Sequence, residues 1–382
     1  MTDSDLRSPE TRATLRPDTP WSLAAPGERW PVIDGIPYLR TGRAELAAEA
    51  LTRLDRRDET GALAALLADQ DDWWDGPAPD EAALRELVRD RGRLSLRDAM
   101  ERLAYGRVGH YFAHRWSDPT FLAGLALAEA HWPEPAGVFE LACGIGHYLR
   151  EFERQGIACT GADIVFSKLW LARHWVLGPE VRLVCFDAAS PWPFTATYDL
   201  VLCQDAFYFL EPKQEISAAL RAAAGPSGTL LVGHIHNRDA DTFSSGRAVT
   251  ADQLAGLFPD GILYDDGELT DALIEARVPR PRPAANLKHV EAFAVAAGPG
   301  LDPRPRAIDG RLAVPPAGTA LRRNPLYDEA GRVAWPSPRY EAEYAPRATY
   351  PERTAMPPEV TGGQWLDAAA RRRELVDLPE RW

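Results

Sequence analysis

The sequence predicts an α/β fold: a mostly parallel sheet covered by helices, with a helical N-terminal region and an extended aromatic, Pro-rich C-terminal extension. Three observations predict it. From Ala136 onward, short apolar runs alternate with amphipathic helical runs, the pattern of a sheet covered on both faces. The first apolar run leads into a glycine loop, Gly144-Ile145-Gly146, and a helical run follows. Acidic residues close the first three strand runs, at Glu140, Asp163 and Asp187.

The elements follow in order. Residues 1–20 are polar and Pro-containing, and are expected to be disordered. Residues 21–45 hold a small hairpin module, because the apolar residues of Trp30 to Arg40 flank the tight-turn dipeptide Asp34-Gly35. Residues 46–130 read as a helical cap. Leu46, Leu51, Leu54, Leu63 and Leu66 recur at helical spacing, Asp80 to Asp90 repeats the pattern, and Ser95 with Asp98 forms a capping box. The aromatic-basic stretch Tyr105 to Trp116 comes next, then a helix to about Ala130. Residues 131–300 form the main domain, with strands in GVFELAC, CTGADIV, RLVCFDA, YDLVLCQDAF and TLLVGHIH, and one more over His289 to Gly298. In the 301–382 extension, Pro density argues against regular structure. Its aromatics (Tyr327, Trp335, Tyr340, Tyr344, Tyr350, Trp365) argue for a belt packed on the core.

Composition narrows the function. The 382 residues are 45% hydrophobic, enough for a sizeable core, and no run approaches the ~18–20 apolar residues of a membrane helix. The start, MTDSDLRSPETR, lacks a secretory core, so a cytoplasmic location is expected. Four cysteines without C-x-x-C pairing, all in apolar segments, read as buried thiols rather than a disulfide or zinc framework. A net charge of -13 lacks the basic footprint of a nucleic-acid binder. The expected partner is a small molecule, with neither nucleic acid nor membrane; a homo-oligomer is compatible with the sequence.

The chemistry concentrates at the strand ends. Glycines let a turn approach a ligand closely, and the following helix offers free N–H groups. A dinucleotide loop would need a small residue where Leu149 stands, which disfavours a nicotinamide cofactor. Asp163 ends the second strand, where a carboxylate can accept from both hydroxyls of a ribose. Asp187 ends the third, where an oxygen can meet an adenine amino group. The carboxyl ends of adjacent strands are where open α/β sheets bind ligands.

On these residues the segment from about Ala136 to Gly298 resembles a Rossmann-like class I S-adenosylmethionine-dependent methyltransferase. VFELACGIG matches the first motif of that family, ADIV the second, CFDA the third, YDLVLCQDAFYFL the fourth and GPSGTLLVGH a later strand. It departs at Ala142, where the family usually has glycine. The resemblance implies S-adenosylmethionine as cofactor and an antiparallel last strand at His289 to Gly298. It implies that Gly144 and Gly146 lie beside the methionine part, Asp163 at the ribose, Asp187 at the adenine and Gln204 in the pocket wall, with Glu140, Ile164 and Ala188 also expected at the cofactor. The hairpin segment WPVIDGIPYLR resembles the last strand of a zinc-ribbon-like module that accompanies some methyltransferases. Residues 21–45 contain no Cys, so it is at most a metal-free remnant, the alternative being an unrelated hairpin.

Methyl transfer is an in-line displacement whose reactivity the cofactor carries; the protein aligns the nucleophile and, where needed, removes a proton. His234 and His236 end the fifth strand, and alternation puts both on one face. An unperturbed imidazole accepts a proton near neutrality. Two such histidines also raise a metal reading, but a third ligand is not evident, Asp239 being only close in sequence; no metal is assigned. Asp205 and Tyr208 follow the fourth strand, which in the family faces the methyl donor; Asp205 reads as a base or acceptor, or as a helix cap. In the segment Tyr105 to Pro119, the resemblance implies a cover over the cofactor. Arg115 or Arg107 would meet its carboxylate and Tyr105 or Tyr111 would shield the sulfonium, while His110 and His114 would share a helix face. The expected function is methyl transfer to a small molecule of bacterial specialised metabolism. The rivals are another reaction on the same fold and a non-catalytic partner of another enzyme.

Overall fold

The computed structural model describes residues 6–240, 246–361, 363 and 366–382. Residues 1–5 and Trp365, on which two sequence expectations fall, lie outside them.

The chain opens with an antiparallel meander: β1 (Arg16–Thr19), β2 (Ser22–Ala25), β3 (Glu28–Ile33) and β4 (Ile36–Pro37). Asp34 and Gly35 make the two-residue turn between β3 and β4, with φ of 52° and 72°. Two successive positive φ values match the right-handed twist of a hairpin. The disorder expected up to residue 20 is corrected for residues 6–19. Leu6 and Leu15 are fully buried against Leu23 and Trp30, and Arg7 N–H donates to Pro193 at 2.7 Å. The meander is tied to the main sheet, since Leu39 N–H donates to the Cys185 carbonyl at 2.7 Å.

Six helices follow: α1 (Ala44–Asp55), α2 (Glu59–Leu67), α3 (Glu81–Asp90), α4 (Leu96–Arg102), α5 (Gly106–His114) and α6 (Pro119–Ala130). The capping box of Ser95 and Asp98 starts α4. Every residue of α6 is buried, as expected of a helix whose sequence, PTFLAGLALAEA, is apolar all round.

The main sheet comprises β5 (Gly137–Leu141), β6 (Ala158–Asp163), β7 (Arg182–Cys185), β8 (Leu200–Gln204), β9 (Thr229–His236), β10 (Ile262–Asp265) and β11 (Ala292–Ala297). Its spatial order is β10-β11-β9-β8-β5-β6-β7. Strand β11 runs antiparallel to both β9 and β10, as expected for the strand read over His289 to Gly298. The helices between strands are α7 (His147–Arg154), α8 (Phe166–Leu171), α9 (Lys213–Ala224), α10 (Ala251–Leu257) and α11 (Asp266–Ile274). Side chains alternate along each strand between two apolar clusters, one per face. Val138, Leu200 and Leu202 join Trp170 and Phe152; Phe139, Val201 and Cys203 join Phe186 and Phe207.

In the extension, β12 (Ala320–Arg323) pairs with β13 (Glu359–Thr361) and β14 (Leu375–Val376), beside α12 (Pro338–Tyr344) and α13 (Asp367–Arg371). Pro density had argued against regular structure; the prolines sit mostly between these short elements, where no ladder N–H is required. Among the described residues no helix is long and apolar enough to cross a membrane. All four cysteines are buried and free.

Candidate active site

A cavity of about 1080 Å³ opens over the carboxyl ends of β5, β6, β8 and β9. Of the fourteen sequence-selected site residues, thirteen line it: Tyr105, Arg115, Glu140, Gly144, Asp163, Ile164, Asp187, Ala188, Gln204, Asp205, Tyr208, His234 and His236. Gly146 does not. Its φ is +83°, and a Cβ there would meet Leu177 at 2.6 Å, so it turns the loop rather than forming the wall.

The loop from β5 to α7 is held by Asp163. One carboxylate oxygen accepts from Gly144 N–H at 3.0 Å and the other from Val165 N–H at 2.9 Å. Two lone pairs remain for a ligand. Lys168, lodged between Asp163 and Asp71 at 3.6 and 3.7 Å, steadies the carboxylate. Ala142, the departure from the family motif, has φ +56°. This is the left-handed conformation that glycine adopts freely and that costs an L-residue roughly 1–2 kcal/mol.

Polar atoms without partners mark the same wall. Glu140 is 2% exposed, its Oε2 has no hydrogen-bond partner, and burial pushes its carboxyl well above the usual range. The Gln204 amide is buried with both Oε1 and Nε2 unpartnered. Buried polar groups are almost always paired, so these atoms fit a ligand that carries both donors and acceptors. S-adenosylmethionine does: its ammonium and hydroxyls donate, and its carboxylate and adenine accept.

The same cavity holds a connected polar cluster. Tyr111 donates to Asp205 Oδ2 at 2.7 Å and Tyr208 to Asp205 Oδ1 at 2.8 Å; Arg115 sits 3.1 Å from Oδ2. His234 Nδ1–H donates to Asp266 at 2.7 Å, and its Nε2 faces Asp205 Oδ1 at 3.7 Å. His236 stands edge-on to both Tyr208 and His234, ring centroids 4.3 and 4.9 Å away. Burial alone would lower the pKa of His234, but the Asp205 and Asp266 carboxylates outweigh it and raise the value. Burial, with His234 adding to it, pushes His236 down to about 4.

Backbone geometry aims these groups. On β11, Phe293 pairs with Ile235 and Val295 with Val232, so Ala294 alone opposes both Gly233 and His234. This bulge puts His234 at φ +48° and turns its side chain toward β8. Asp205, at φ +53°, is likewise left-handed, and it does not cap the short helical turn Phe207–Phe209. Asp239 is not among the cavity residues.

The covering segment divides. Tyr105 is buried and shares a 2.7 Å hydrogen bond with Ser167. Arg107 is exposed and pairs with Asp75 at 2.8 Å. Arg115 is buried and committed to Asp118, Thr120, Tyr148 and Asp205. His110 is exposed while His114 is buried against Tyr340 and Trp382, so the two do not share an environment. Sequence reasoning missed Asp266, which starts α11, and Tyr340, Glu343 and Tyr344 of the extension, which line the cavity. The tail's aromatics were the only signal for the latter, and Asp266 had none.

Residues 138–228 match the family described as methyltransferase domain. No curated protein matches the chain. Among solved structures, the chain is similar to an amino pentose methyltransferase of Micromonospora echinaspora with S-adenosylmethionine bound, at 28% identity over 32% of this chain and 52% of that one, TM-score 0.27. It is also similar to phosphoethanolamine N-methyltransferase 2 of Haemonchus contortus, at 18% identity over 54% and 60%, TM-score 0.39. A third is 1,6-didemethyltoxoflavin-N1-methyltransferase of Burkholderia thailandensis, at 20% identity over 54% and 87%, TM-score 0.34. The chain spans between half and two thirds of the first two. The methyltransferase-domain match thus covers β5 to β8 and the helices between them, the segment that supplies the cavity's loop and three of its strand ends.

Proposed function

We propose that the chain transfers a methyl group from S-adenosylmethionine to a small-molecule acceptor. The observation that carries this reading is that one cavity joins the unpartnered Glu140 and Gln204 and the carboxylates of Asp163 and Asp187 to the cluster of Asp205, Tyr208, His234 and His236. The cofactor, when bound, supplies an activated methyl on a sulfonium. Glu140 meets its ammonium, Asp163 its ribose hydroxyls, and Asp187 and Ala188 its adenine. Tyr105 closes the cavity above it. The acceptor's nucleophilic atom sits against Asp205, Tyr208, His234 and His236, which hold it in line with the methyl and receive its proton. Alignment alone accounts for much of the rate of such a displacement.

Tyr340, Tyr344 and Glu343 from the extension form the far wall, so the extension selects the acceptor. An acceptor of bacterial specialised metabolism is the class to screen first, since a chain of net charge -13 is poorly suited to nucleic acid. The test has two stages. Calorimetric titration with S-adenosylmethionine and S-adenosylhomocysteine is expected to show binding that Asp163→Ala removes. An acceptor screen then follows S-adenosylhomocysteine by mass spectrometry. Absence of binding in folded protein would overturn the reading and favour a non-catalytic partner role.

A further inference from the structure

We propose that Asp205, His234 and His236 form a binding site for a first-row transition-metal dication at the acceptor end of the cavity. One ligand atom from each lies within 4.8 Å of the other two. Imidazole and carboxylate bonds of about 2.0–2.2 Å allow ligand atoms to be no more than ~4.4 Å apart. The 3.7 Å between His234 Nε2 and Asp205 Oδ1 already meets that limit. It is too long for a hydrogen bond and suits an atom lying between the two. The widest pair needs to close by only a few tenths of an ångström.

The surroundings are those of a ligand set rather than of free side chains. A metal-bound imidazole characteristically donates its other N–H to a carboxylate, and ligating carboxylates are themselves hydrogen-bonded. His234 does the first, through Nδ1 to Asp266 at 2.7 Å, which leaves Nε2 directed at Asp205. Asp205 does the second. Tyr111 and Arg115 hold Oδ2, and Tyr208 holds Oδ1, the oxygen facing His234, from one side only. His236 Nδ1 is buried without a partner, and so is the second oxygen of Asp266.

Charge points the same way. The carboxylates of Asp118 and Asp205 flank the buried Arg115 guanidinium, each at 3.1 Å, and the buried Asp266 carboxylate lies behind His234. A dication offsets negative charge that would otherwise be costly in a dehydrated site. Two of the three ligand residues hold the left-handed backbone conformation, Asp205 and, at the bulge, His234. Two imidazoles and one carboxylate suit zinc, iron(II), cobalt or manganese rather than magnesium or calcium, which prefer all-oxygen sets. Three protein ligands beside an open cavity leave positions for the acceptor, and an ion there would lower the pKa of a bound hydroxyl. The imidazoles then act as ligands, not bases.

The inference does not depend on the methyl-transfer reading, because its test reads metal binding. Chelator-treated protein is titrated with Co²⁺, following the visible ligand-field bands, and with Zn²⁺ by calorimetry. The expected result is a single equivalent bound, with an absorption stronger than that of the aqueous ion and no displacement by excess Mg²⁺. His236→Ala is expected to abolish it. Asp266→Asn, which removes only the carboxylate behind His234, is expected to weaken it ~10–100-fold. Circular dichroism checks that each variant is folded; should His236→Ala not fold, Asp266→Asn and the wild-type spectrum still decide. Absence of binding, or binding that a folded variant leaves unchanged, overturns the proposal.

Discussion

The amide of Gln204 lies over the Cα of Gly233, so close that a Cβ on Gly233 would overlap Gln204 Oε1. Neighbouring parallel strands carry the two residues in register. The glycine thus makes room for an amide with both polar atoms unpartnered in the cavity wall. Gly233→Ala is expected to push that amide aside while leaving the sheet intact. A lost hydrogen bond is worth ~1 kcal/mol, and a displaced group in the wall adds to it. S-adenosylhomocysteine should bind about tenfold more weakly by calorimetry, with little change in melting temperature. Unchanged affinity would show that Gln204 does not contact the cofactor.

Asp163 serves the loop as well as the ligand, so its two variants should differ. Asp163→Ala leaves Gly144 N–H and Val165 N–H without acceptors and also removes the ribose contacts. Hydrogen bonds to a charged group contribute ~1.5–3 kcal/mol each. Cofactor affinity should therefore fall by roughly 10²-fold or more, and thermal stability should fall with it. Asp163→Asn keeps one acceptor oxygen and is expected to lose affinity while retaining most of the stability. Equal stability losses in the two variants would show that the loop does not depend on the retained acceptor.

The sheet was legible because each of its central strands is a near-continuous apolar run, as burial on both faces requires. The strand ends were legible because carboxylates interrupt those runs. What escaped is instructive. Strand β10 is four residues long and follows Pro259-Asp260-Gly261, so nothing in its length separates it from a loop. Asp266 reaches His234 across 32 residues of sequence, a distance that no local pattern encodes. Leu149 argued against a dinucleotide loop, and here close helix–sheet packing is reached by another route. The small residue stands on the strand, where a Cβ on Gly161 would meet Leu149 at 2.5 Å. The N-terminal leucines were missed because two isolated apolar residues, Leu6 and Leu15, carry no periodicity. Asp205 as third ligand candidate lay on a different strand from the histidines, so spacing pointed to Asp239 instead.

The hairpin turn makes a pH-dependent tie to the main domain. Asp34 Oδ2 accepts from Trp170 Nε1 and from His174 Nε2, both at 2.8 Å. Burial alone would raise the carboxyl's pKa, but the hydrogen bonds from His174 and Trp170 bring it below its ordinary value of 3.8. A depressed carboxylate stabilises the fold fully above its unfolded pKa and loses that contribution as pH falls through the folded value. The tie should therefore hold through the neutral and mildly acidic range and fail below about pH 4. Urea unfolding followed by tryptophan fluorescence should show Asp34→Asn less stable by on the order of 1–2 kcal/mol at pH 7. The two proteins should converge in acid. A constant difference across the range would mean that the carboxylate's charge plays no part.

A buried carboxylate holds the first turn of the extension against the core. Glu129, within the fully buried α6, accepts from Gly310 N–H at 2.7 Å, Leu312 N–H at 2.8 Å and Ala313 N–H at 3.4 Å. Arg373 reaches the same turn through the Ala313 carbonyl at 3.0 Å. Glu129→Ala would leave three buried backbone donors without an acceptor, at ~1–3 kcal/mol for each well-formed bond lost. Removing this acceptor should loosen the segment that carries Tyr340, Glu343 and Tyr344 into the cavity, while the cofactor's strand ends, on other elements, stay in place. Limited proteolysis is expected to cut Glu129→Ala after residue 300 at concentrations that spare the wild type. Affinity for S-adenosylhomocysteine should change little, whereas the KM for the acceptor should rise. If cofactor affinity falls as far as acceptor affinity, the extension supports the whole cavity rather than its acceptor end.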